Sequence, residues 1–495
     1  MQEFERRQPL DMTPEEFRKV GHRLVDRIAH FLGDIRSLPV TKGEPPSVVR
    51  QAIGDRPLPS TGEPADVLVE HAAELIIEHS LFNGHPRFWG YITSSAAPIG
   101  ALADLLAASV NSNAGAWSLS PAATEIELQT IRWICELIGY PVDSGGVMVS
   151  GGNMANFVCF LAARKAKAPF DVQKTGFSGT ERMICYVSAE THTWVEKAAD
   201  EFGIGTNQVR WVPVDDKLRM RVDLLRQAIA DDRAAGDFPF LVVGTAGTVG
   251  TGAIDPLDDI ADVCESEDVW FHVDGAYGGF AATLPDFRID LQAISRADSI
   301  AVDPHKWLYS PIEAGCAVVR NLEHMRSAFS YHPPYYRFDQ VGEEPAVVMA
   351  DRSPQNSRGF RALKVWLGLQ QAGREGIVRS IAEDIELARH LYTILQDRDD
   401  FEVFTTGLSI TTFRYVPAGI PGDVDRDAYL NEINETLVTE LQEGGEAYVS
   451  HTRIRGHYVL RACVVNFRTE VADIEALPDI ISRIGLSVHE RLTPA

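Results

Sequence analysis

The sequence has few lysines and few cysteines, and both scarcities limit the kinds of functional site that it can contain. Its 495 residues include nine lysines, against 37 arginines, and six cysteines. No two cysteines form a C-x-x-C pair, and none joins histidines at zinc-site spacing, so no metal site is expected. The six are Cys135, Cys159, Cys185, Cys264, Cys316 and Cys463. Most lie in apolar runs, which predicts reduced, buried thiols.

The chain also lacks long apolar runs and an excess of positive charge. No run approaches the roughly 18 apolar residues needed to span a bilayer. The segment from Met1 to Arg7 has no apolar core of the kind found in signal peptides. The net charge of −24 repels phosphate backbones and anionic membranes. We therefore expect a cytoplasmic protein with neither a nucleic-acid nor a membrane partner.

The length exceeds the roughly 100–200 residues of one typical domain, and the composition changes twice along the chain. Residues 1–80 are predicted to form a helical segment that opens at the capping sequence Thr13–Glu16 and packs on a partner subunit. Residues 81–375 alternate short β-like runs with helical ones, which predicts a large α/β domain with a mostly parallel sheet. Residues 376–495 predict a small α+β domain.

The predicted strands of the large domain are short apolar runs, as expected for strands covered on both faces. They are Met183–Val187, Val209–Val214, Phe240–Thr245, Val269–Val273, Ser299–Val302 and Cys316–Arg320.

Lys306 lies just beyond the predicted strand Ser299–Val302, after Asp303, Pro304 and His305. Ligands of open α/β sheets bind at the carboxyl ends of the strands. A partly desolvated lysine at that place is suited to forming a Schiff base. The alternative is a solvated lysine on a loop.

Asp274 ends another predicted strand and is followed by the small residues Gly275 and Ala276. Small residues let a flat ring approach the backbone, and a carboxylate there can pair with a protonated pyridine nitrogen. A metal ligand or a helix cap would explain the same aspartate.

Two further motifs also follow β-like runs. Gly151 and Gly152 precede a helix predicted over Phe157–Lys165, and a glycine turn before a helix can bind phosphate, although such turns are common. His192 follows the strand Met183–Val187 and could stack on a ring or transfer a proton, although a lone histidine is more often structural. The order of a phosphate turn, a histidine, an aspartate and a lysine argues for a pyridoxal 5′-phosphate (PLP) site.

With these motifs the chain resembles the PLP-dependent group II amino acid decarboxylases, and within them the aromatic L-amino-acid decarboxylase family. The resemblance runs from about residue 13 to 485 and includes His85–Tyr91, Ser118–Glu127, Asp274–Tyr277 and Pro304–Trp307. It implies the fold-type I, aspartate-aminotransferase-like architecture and a homodimer with its active sites at the interface.

The resemblance also implies a role for each site residue. Lys306 would hold PLP as a Schiff base, Asp274 would pair with the ring nitrogen, and His192 would stack on the ring. The other cofactor-binding residues would be Ala276 on the opposite ring face, Thr248 by a hydrogen bond, and Ser150, Gly151, Gly152, Asn153 and His305 around the phosphate. The substrate pocket would be lined by Trp89, Tyr91 and Ile92. The expected reaction converts an aromatic amino acid (Trp, Tyr, Phe or Dopa) to the amine and CO2.

One position departs from the family pattern. These decarboxylases carry a loop tyrosine that helps protonate Cα, and an ungapped count back from Phe360–Trp366 puts Met349 in its place. Methionine donates no proton. The alternative is therefore an aromatic aldehyde synthase, in which O2 intercepts the reaction and the product is an aldehyde. A gapped alignment would put Tyr331, Tyr335 or Tyr336 in the role, and the retained His192 favours ordinary decarboxylation.

Three other readings compete with a decarboxylase. The run Gly244–Gly252 follows a strand as in nicotinamide dehydrogenases, but a third glycine is missing and Pro256 stands where the helix should open. A PLP aminotransferase or desulfurase would share the fold, but the Pro304–Trp307 context disfavours it. An inactive binding protein is disfavoured because Lys306, Asp274 and His192 are all retained.

Overall fold

The structure, a computed structural model, describes residue 8 and residues 10–177, 182–331 and 338–493. Its α-helices within these ranges are α1 Pro14–Asp34, α2 Pro46–Ile53, α3 Ala65–Glu78, α4 Pro98–Val110, α5 Pro121–Ile138, α6 Gly152–Lys167, α7 Val172–Thr175, α8 Trp194–Glu201, α9 Val222–Ala234, α10 Leu257–Glu267, α11 Arg288–Leu291, α12 Leu322–Phe329, α13 Ala362–Gln396, α14 Arg426–Gly444 and α15 Val471–Leu492.

The strands of the same ranges are β1 Phe88–Trp89, β2 Gly145–Val149, β3 Met183–Ser188, β4 Val209–Val212, β5 Phe238–Thr245, β6 Trp270–Asp274, β7 Ser299–Val302, β8 Gly315–Val319, β9 Gln340–Val341, β10 Glu344–Pro345, β11 Phe401–Gly407, β12 Ile410–Tyr415, β13 Tyr448–Ile454 and β14 His457–Cys463. None of the helices in the described ranges combines the length and the apolar character that a bilayer span requires.

A seven-stranded sheet with the order β2-β8-β7-β6-β5-β3-β4 forms the centre of the large domain. Its strands are parallel except β8, which runs antiparallel to both β2 and β7. Every residue of β2, β3, β6, β7 and β8 is buried, because both faces of the sheet are covered. The predicted mostly parallel α/β sheet is confirmed, and the carboxyl ends of β5, β6 and β7 meet at one edge.

A second, five-stranded sheet has the order β1-β13-β14-β12-β11. Its pairs β11–β12, β12–β14 and β13–β14 are antiparallel. Short connections suffice for the antiparallel pairs β11–β12 and β13–β14, whereas α14 lies in the connection from β12 to β13.

Contacts divide the chain into two units. The larger comprises Trp89–Val416 and Ser450–Phe467, and contains the seven-stranded sheet. The smaller comprises Met1–Phe88, Pro417–Val449 and Arg468–Ala495. The division of the sequence at residues 80 and 375 stays a prediction.

The smaller unit begins with the predicted helix cap. Thr13 accepts a hydrogen bond from the Glu16 N–H at 3.2 Å, and the Glu16 carboxylate accepts one from the Thr13 N–H at 2.9 Å. The two reciprocal bonds satisfy N–H groups that the first turn of a helix leaves free, which confirms the capping box. None of the residues of α1, α2 or α3 is buried.

Several boundaries differ from those predicted. Helix α2 forms in a part of the sequence rich in proline and glycine, because Pro46 suits the first turn of a helix. Helix α6 begins at Gly152, five residues before Phe157. Strand β2 opens with two glycines of low β propensity and is stabilised by pairing with β8. All six cysteines are buried and free, as expected.

Candidate active site

Lys306 lies in the turn that follows β7, and its ammonium group has a close anionic partner. The Lys306 Nζ is 3.2 Å from Oδ2 of Asp303, and only 16% of the lysine side chain is exposed. Asp303 itself is 2% exposed, and its Oδ1 is buried without a hydrogen-bond partner in the described part of the chain. The lysine side chain is thus largely buried and is not that of a solvated loop residue.

Asp274, the last residue of β6, has its carboxylate fixed by two donors. Its Oδ2 accepts a hydrogen bond from the Trp194 indole N–H at 2.8 Å, and its Oδ1 accepts one from the Ala276 N–H at 3.2 Å. The register β5–β6–β7 aligns Asp274 with Thr245 on one side and Ala301 on the other. Asp274 and Lys306 therefore follow neighbouring strands at the same edge of the sheet.

The turn between β2 and α6 approaches the segments that follow β6 and β7. Gly151 has φ +154° and ψ −179°, a conformation that is nearly restricted to glycine. A Cβ atom on Gly152 would lie 2.6 Å from Oδ2 of Asp303 and 3.0 Å from Cβ of Ala276. Glycine thus allows the N-terminus of a 16-residue helix, which attracts anions, to enter the site. Ser150 precedes this turn, and Asn153 is exposed in the first turn of α6.

His192 and His305 are both held in defined orientations. The His192 Nδ1 accepts a hydrogen bond from the Trp194 N–H at 3.2 Å, which assigns the ring proton to Nε2. Desolvation lowers the His192 pKa, so its imidazole is neutral near pH 7 although part of the ring is exposed. The His305 Nδ1 lies 2.7 Å from the Ala314 carbonyl oxygen, and burial lowers the His305 pKa.

Thr248 is fully buried in the loop that follows β5. Its hydroxyl lies 3.1 Å from that of Thr251 and accepts a hydrogen bond from the Ala253 N–H at 3.2 Å. Asp255 closes the same loop by accepting hydrogen bonds from the Thr245 and Met220 N–H groups at 2.9 and 2.7 Å. Burial raises the pKa of Asp255 to about 6.

The residues of this site have the chemistry that PLP requires. In the described residues no three histidine, cysteine, aspartate or glutamate side chains form a group that could hold a metal ion. A primary amine, a buried carboxylate, a helix N-terminus and the small residue Ala276 instead converge at one edge of the sheet, and these are the groups a pyridine ring with an aldehyde and a phosphate needs.

Comparison with known proteins identifies the family. The family model described as the pyridoxal-dependent decarboxylase conserved domain matches residues 46–416. The chain belongs to the pyridoxal-dependent decarboxylase family. Its cofactor is PLP, and it removes the carboxyl group of an amino acid.

Related proteins match the decarboxylase over nearly its whole length. It is 33% identical to an aromatic-L-amino-acid decarboxylase of Bacillus atrophaeus over 94% of each chain. It is 28% identical to a phenylacetaldehyde synthase of Petunia hybrida over 92% of this chain and 91% of the relative. A crystal structure of Oryza sativa TDC with PLP and tryptamine superposes with a TM-score of 0.89 at 27% identity, over 97% of this chain and 99% of that one. The decarboxylase thus has the predicted fold-type I architecture.

The three residues predicted to line the substrate pocket differ in their exposure to solvent. Trp89 has no accessible surface, Ile92 is 8% exposed, and Tyr91 is 57% exposed with φ +50°. Of the three side chains, that of Tyr91 is therefore the most exposed to solvent.

Arg461, a residue of β14 for which the sequence analysis predicts no role, contacts this region. It donates hydrogen bonds to the carbonyl oxygens of Tyr91 at 2.9 Å and Val249 at 2.6 Å. Its Nη2 is buried and has no hydrogen-bond partner among the described residues. The sequence does contain one signal for this residue: Arg461 lies within the apolar strand β14, and a charged group that is buried normally has a partner.

The position counted as the loop tyrosine lies in the core of the decarboxylase. Met349 opens a single 3-10 turn, Met349–Arg352, and has no accessible surface. Tyr331 is 68% exposed, while Tyr335 and Tyr336 lie outside the described residues. Which residue occupies the protonating position stays a prediction.

Proposed function

We propose that the decarboxylase acts on an aromatic L-amino acid (Trp, Tyr, Phe or Dopa) and releases the corresponding amine with CO2. The observation that carries the catalytic assignment is the convergence of Lys306, Asp274 and the N-terminus of α6 at one edge of the sheet. The aromatic substrate class is supported by the relative named as an aromatic-L-amino-acid decarboxylase and by the solved relative with tryptamine.

In this proposal each residue of the site has one task. PLP, when bound to an amino acid, withdraws electrons from Cα and weakens its bond to the carboxyl group. The Lys306 amine holds the cofactor covalently, and the Asp274 carboxylate holds a proton on the ring nitrogen. The phosphate is bound by Ser150, Gly151, Gly152, Asn153 and His305, with Ala276 against one ring face and Thr248 near the cofactor.

His192 is proposed to pack on the other ring face and to serve the proton transfer. Its neutral ring carries the proton on Nε2, since Nδ1 is engaged by the Trp194 N–H. A neutral imidazole with an N–H at its edge can stack on a ring and donate a hydrogen bond there, and it delivers a proton only after it has itself been protonated.

Arg461 is proposed to orient the substrate carboxylate. A buried guanidinium with one unpaired nitrogen lacks a hydrogen bond that a carboxylate can supply. Its other nitrogens donate to the Ser450 hydroxyl and to the Tyr91 and Val249 carbonyl oxygens, and these two carbonyl groups adjoin the proposed pocket and the Thr248 loop.

A second candidate activity is that of an aromatic aldehyde synthase. The observation that favours it is Met349 at the ungapped position of the loop tyrosine, and a relative named phenylacetaldehyde synthase is 28% identical. The retained His192 favours the amine-forming reaction, which is the one we propose.

Product analysis separates the two activities. The PLP-loaded enzyme is incubated with L-Trp, L-Tyr, L-Phe and L-Dopa, in air and without oxygen, and amine, aldehyde, ammonia and peroxide are measured. We expect amine and CO2 at equal rates in both atmospheres. Aldehyde, ammonia and peroxide formed only in air would identify the synthase instead, and turnover of none of the four substrates would contradict the aromatic assignment.

We further propose a homodimer with active sites at its interface, in the cytoplasm. Helix α4 exposes Leu102, Leu105, Leu106 and Val110 at helical spacing, and a second copy of the chain would cover this apolar stripe. The six free buried thiols suit a reducing compartment. Sedimentation velocity should give a dimer that Leu105→Glu with Leu106→Glu converts to monomer, whereas a monomeric parent enzyme would contradict the proposal.

A further inference from the structure

Helix α13 carries a buried aspartate, Asp384, whose hydrogen-bond donors are all neutral groups. The helix is interrupted at Gly373, where φ is +65°, and Asp384 lies in its second half with 2% of its surface exposed. Its Oδ2 accepts hydrogen bonds from the Tyr309 hydroxyl at 2.7 Å and the Trp307 indole N–H at 3.1 Å. Its Oδ1 accepts one from the Asn466 N–H at 3.3 Å.

Burying a carboxylate in this way is costly. Removal from water disfavours the charged form, and burial raises the pKa of Asp384 to about 7. The three donors compensate only part of this cost, since all are uncharged. An apolar side chain would fill the same space without this desolvation cost.

Two of its three donors belong to the turn that carries Lys306. Trp307 is the next residue, and Tyr309 closes the turn by donating its N–H to the Lys306 carbonyl at 3.1 Å. Tyr309 has φ +51°, a left-handed conformation that is unfavourable for a bulky side chain. Its carbonyl accepts a hydrogen bond from the Ala97 N–H at 2.8 Å. Asp384 and Ala97 thus hold Tyr309 from opposite ends in a conformation it does not adopt freely.

Trp307 also connects Asp384 with the Asp274 turn. The Trp307 ring lies against the Tyr277 ring, with centroids 4.7 Å apart and planes 32° apart. Tyr277 is three residues beyond Asp274 and is itself fixed through its hydroxyl, which lies 2.7 Å from that of Ser409. One carboxylate therefore fixes the residue after Lys306 and, through the indole, supports the turn after Asp274.

We propose that Asp384 is a positioning residue that fixes the Trp307–Tyr309 turn and so holds the Lys306 amine where it bonds to the cofactor. The inference rests on the proposed role of Lys306. It concerns no contact between Asp384 and substrate or cofactor, since the carboxylate acts through Trp307 and Tyr309.

The test compares Asp384→Asn with Ile385→Ala. An asparagine has one acceptor oxygen, so its amide nitrogen must face at least one of the three donors, and a hydrogen bond is lost. Ile385, the next residue of α13, is 2% exposed, and its truncation removes buried apolar contacts but none of the hydrogen bonds that Asp384 accepts. The measurements are the affinity of the apoenzyme for PLP, the visible absorption of bound PLP between pH 6 and 9, kcat, KM and the melting temperature.

For Asp384→Asn we expect PLP affinity and kcat to fall roughly tenfold to a hundredfold, because a displacement of about 1 Å at a reacting group costs about that much. KM should change little, and the pH dependence of the absorption band should shift. Ile385→Ala should lower the melting temperature and leave PLP affinity and the absorption band at the parent values. Asp384→Asn behaving like Ile385→Ala in all these measurements would overturn the proposal.

A second variant keeps the test decisive if Asp384→Asn does not fold. Tyr309→Phe removes only the hydroxyl, and we expect a smaller loss of PLP affinity in the same direction. Parent affinity and parent kcat in Tyr309→Phe would overturn the role of the turn. Failure of the proposed function is distinguishable, because it would appear as turnover retained in Lys306→Ala.

Discussion

Lys306→Ala is expected to abolish turnover, by a factor of roughly a thousand or more, because no other group at the edge of the sheet can take over covalent attachment of the cofactor. The lysine follows β7, and its Nζ is 3.2 Å from the Asp303 carboxylate. Turnover is measured with saturating PLP, and borohydride reduction followed by peptide mass spectrometry should find the cofactor on Lys306 in the parent enzyme alone.

Lys306→Arg is the matched control for this result. Arginine keeps the positive charge beside Asp303 but does not form a Schiff base, so this variant should be as inactive as Lys306→Ala while retaining the ion pair. Activity in Lys306→Arg would mean that the charge and not the amine is what matters. Near-parent turnover in Lys306→Ala would end the assignment of this lysine.

Asp274→Asn is expected to lower kcat by roughly 100- to 1000-fold, the usual cost of losing a preorganised electrostatic group at a reacting centre. Asparagine fills the same volume and can still accept the Trp194 hydrogen bond, which is 2.8 Å long in the parent enzyme. It carries no negative charge, however, and so does not hold a proton on the ring nitrogen. The measurement is kcat at full PLP occupancy, with occupancy verified by absorbance.

Trp194→Phe gives the comparison for Asp274→Asn. It removes the indole donor and leaves the charge of Asp274, so we expect a loss of kcat well below that of Asp274→Asn. If both variants lost activity equally, the orientation of the carboxylate and not its charge would be decisive. If Asp274→Asn kept kcat within a few-fold of the parent at full occupancy, the pairing with the ring nitrogen would be wrong.

The residues that the sequence identified share a local signal. Lys306 and Asp274 each stand at or just beyond the end of a short apolar run, and all of the predicted strands of the sheet are present with ends shifted by at most two residues. Strand ends are readable because burial on both faces produces a continuous apolar run that stops where the chain leaves the sheet. The parallel arrangement then brings those ends together without further information.

The residues that the sequence missed depend on partners far along the chain. Trp194 orients Asp274 across 80 positions, Asp384 holds Tyr309 across 75, and Arg461 reaches the Tyr91 carbonyl across 370. No periodicity records such pairs, since each is created by tertiary packing. Arg461 alone leaves a local trace, since an ionisable residue inside an apolar run signals a partner but not its identity.

The position of β2 has a consequence for the order in which the site is made during synthesis. In the described sheet β2 is an edge strand, and the strand it pairs with is β8, so that Val149 lies opposite Gly315. The ribosome must therefore complete the strands that bear Asp274 and precede Lys306 before β2 can join the sheet. Of the elements proposed to bind the cofactor, the glycine turn after β2 is translated first and is fixed last. A nascent chain that stops short of β8 would carry the lysine and the aspartate, but its proposed phosphate-binding turn would be unfinished.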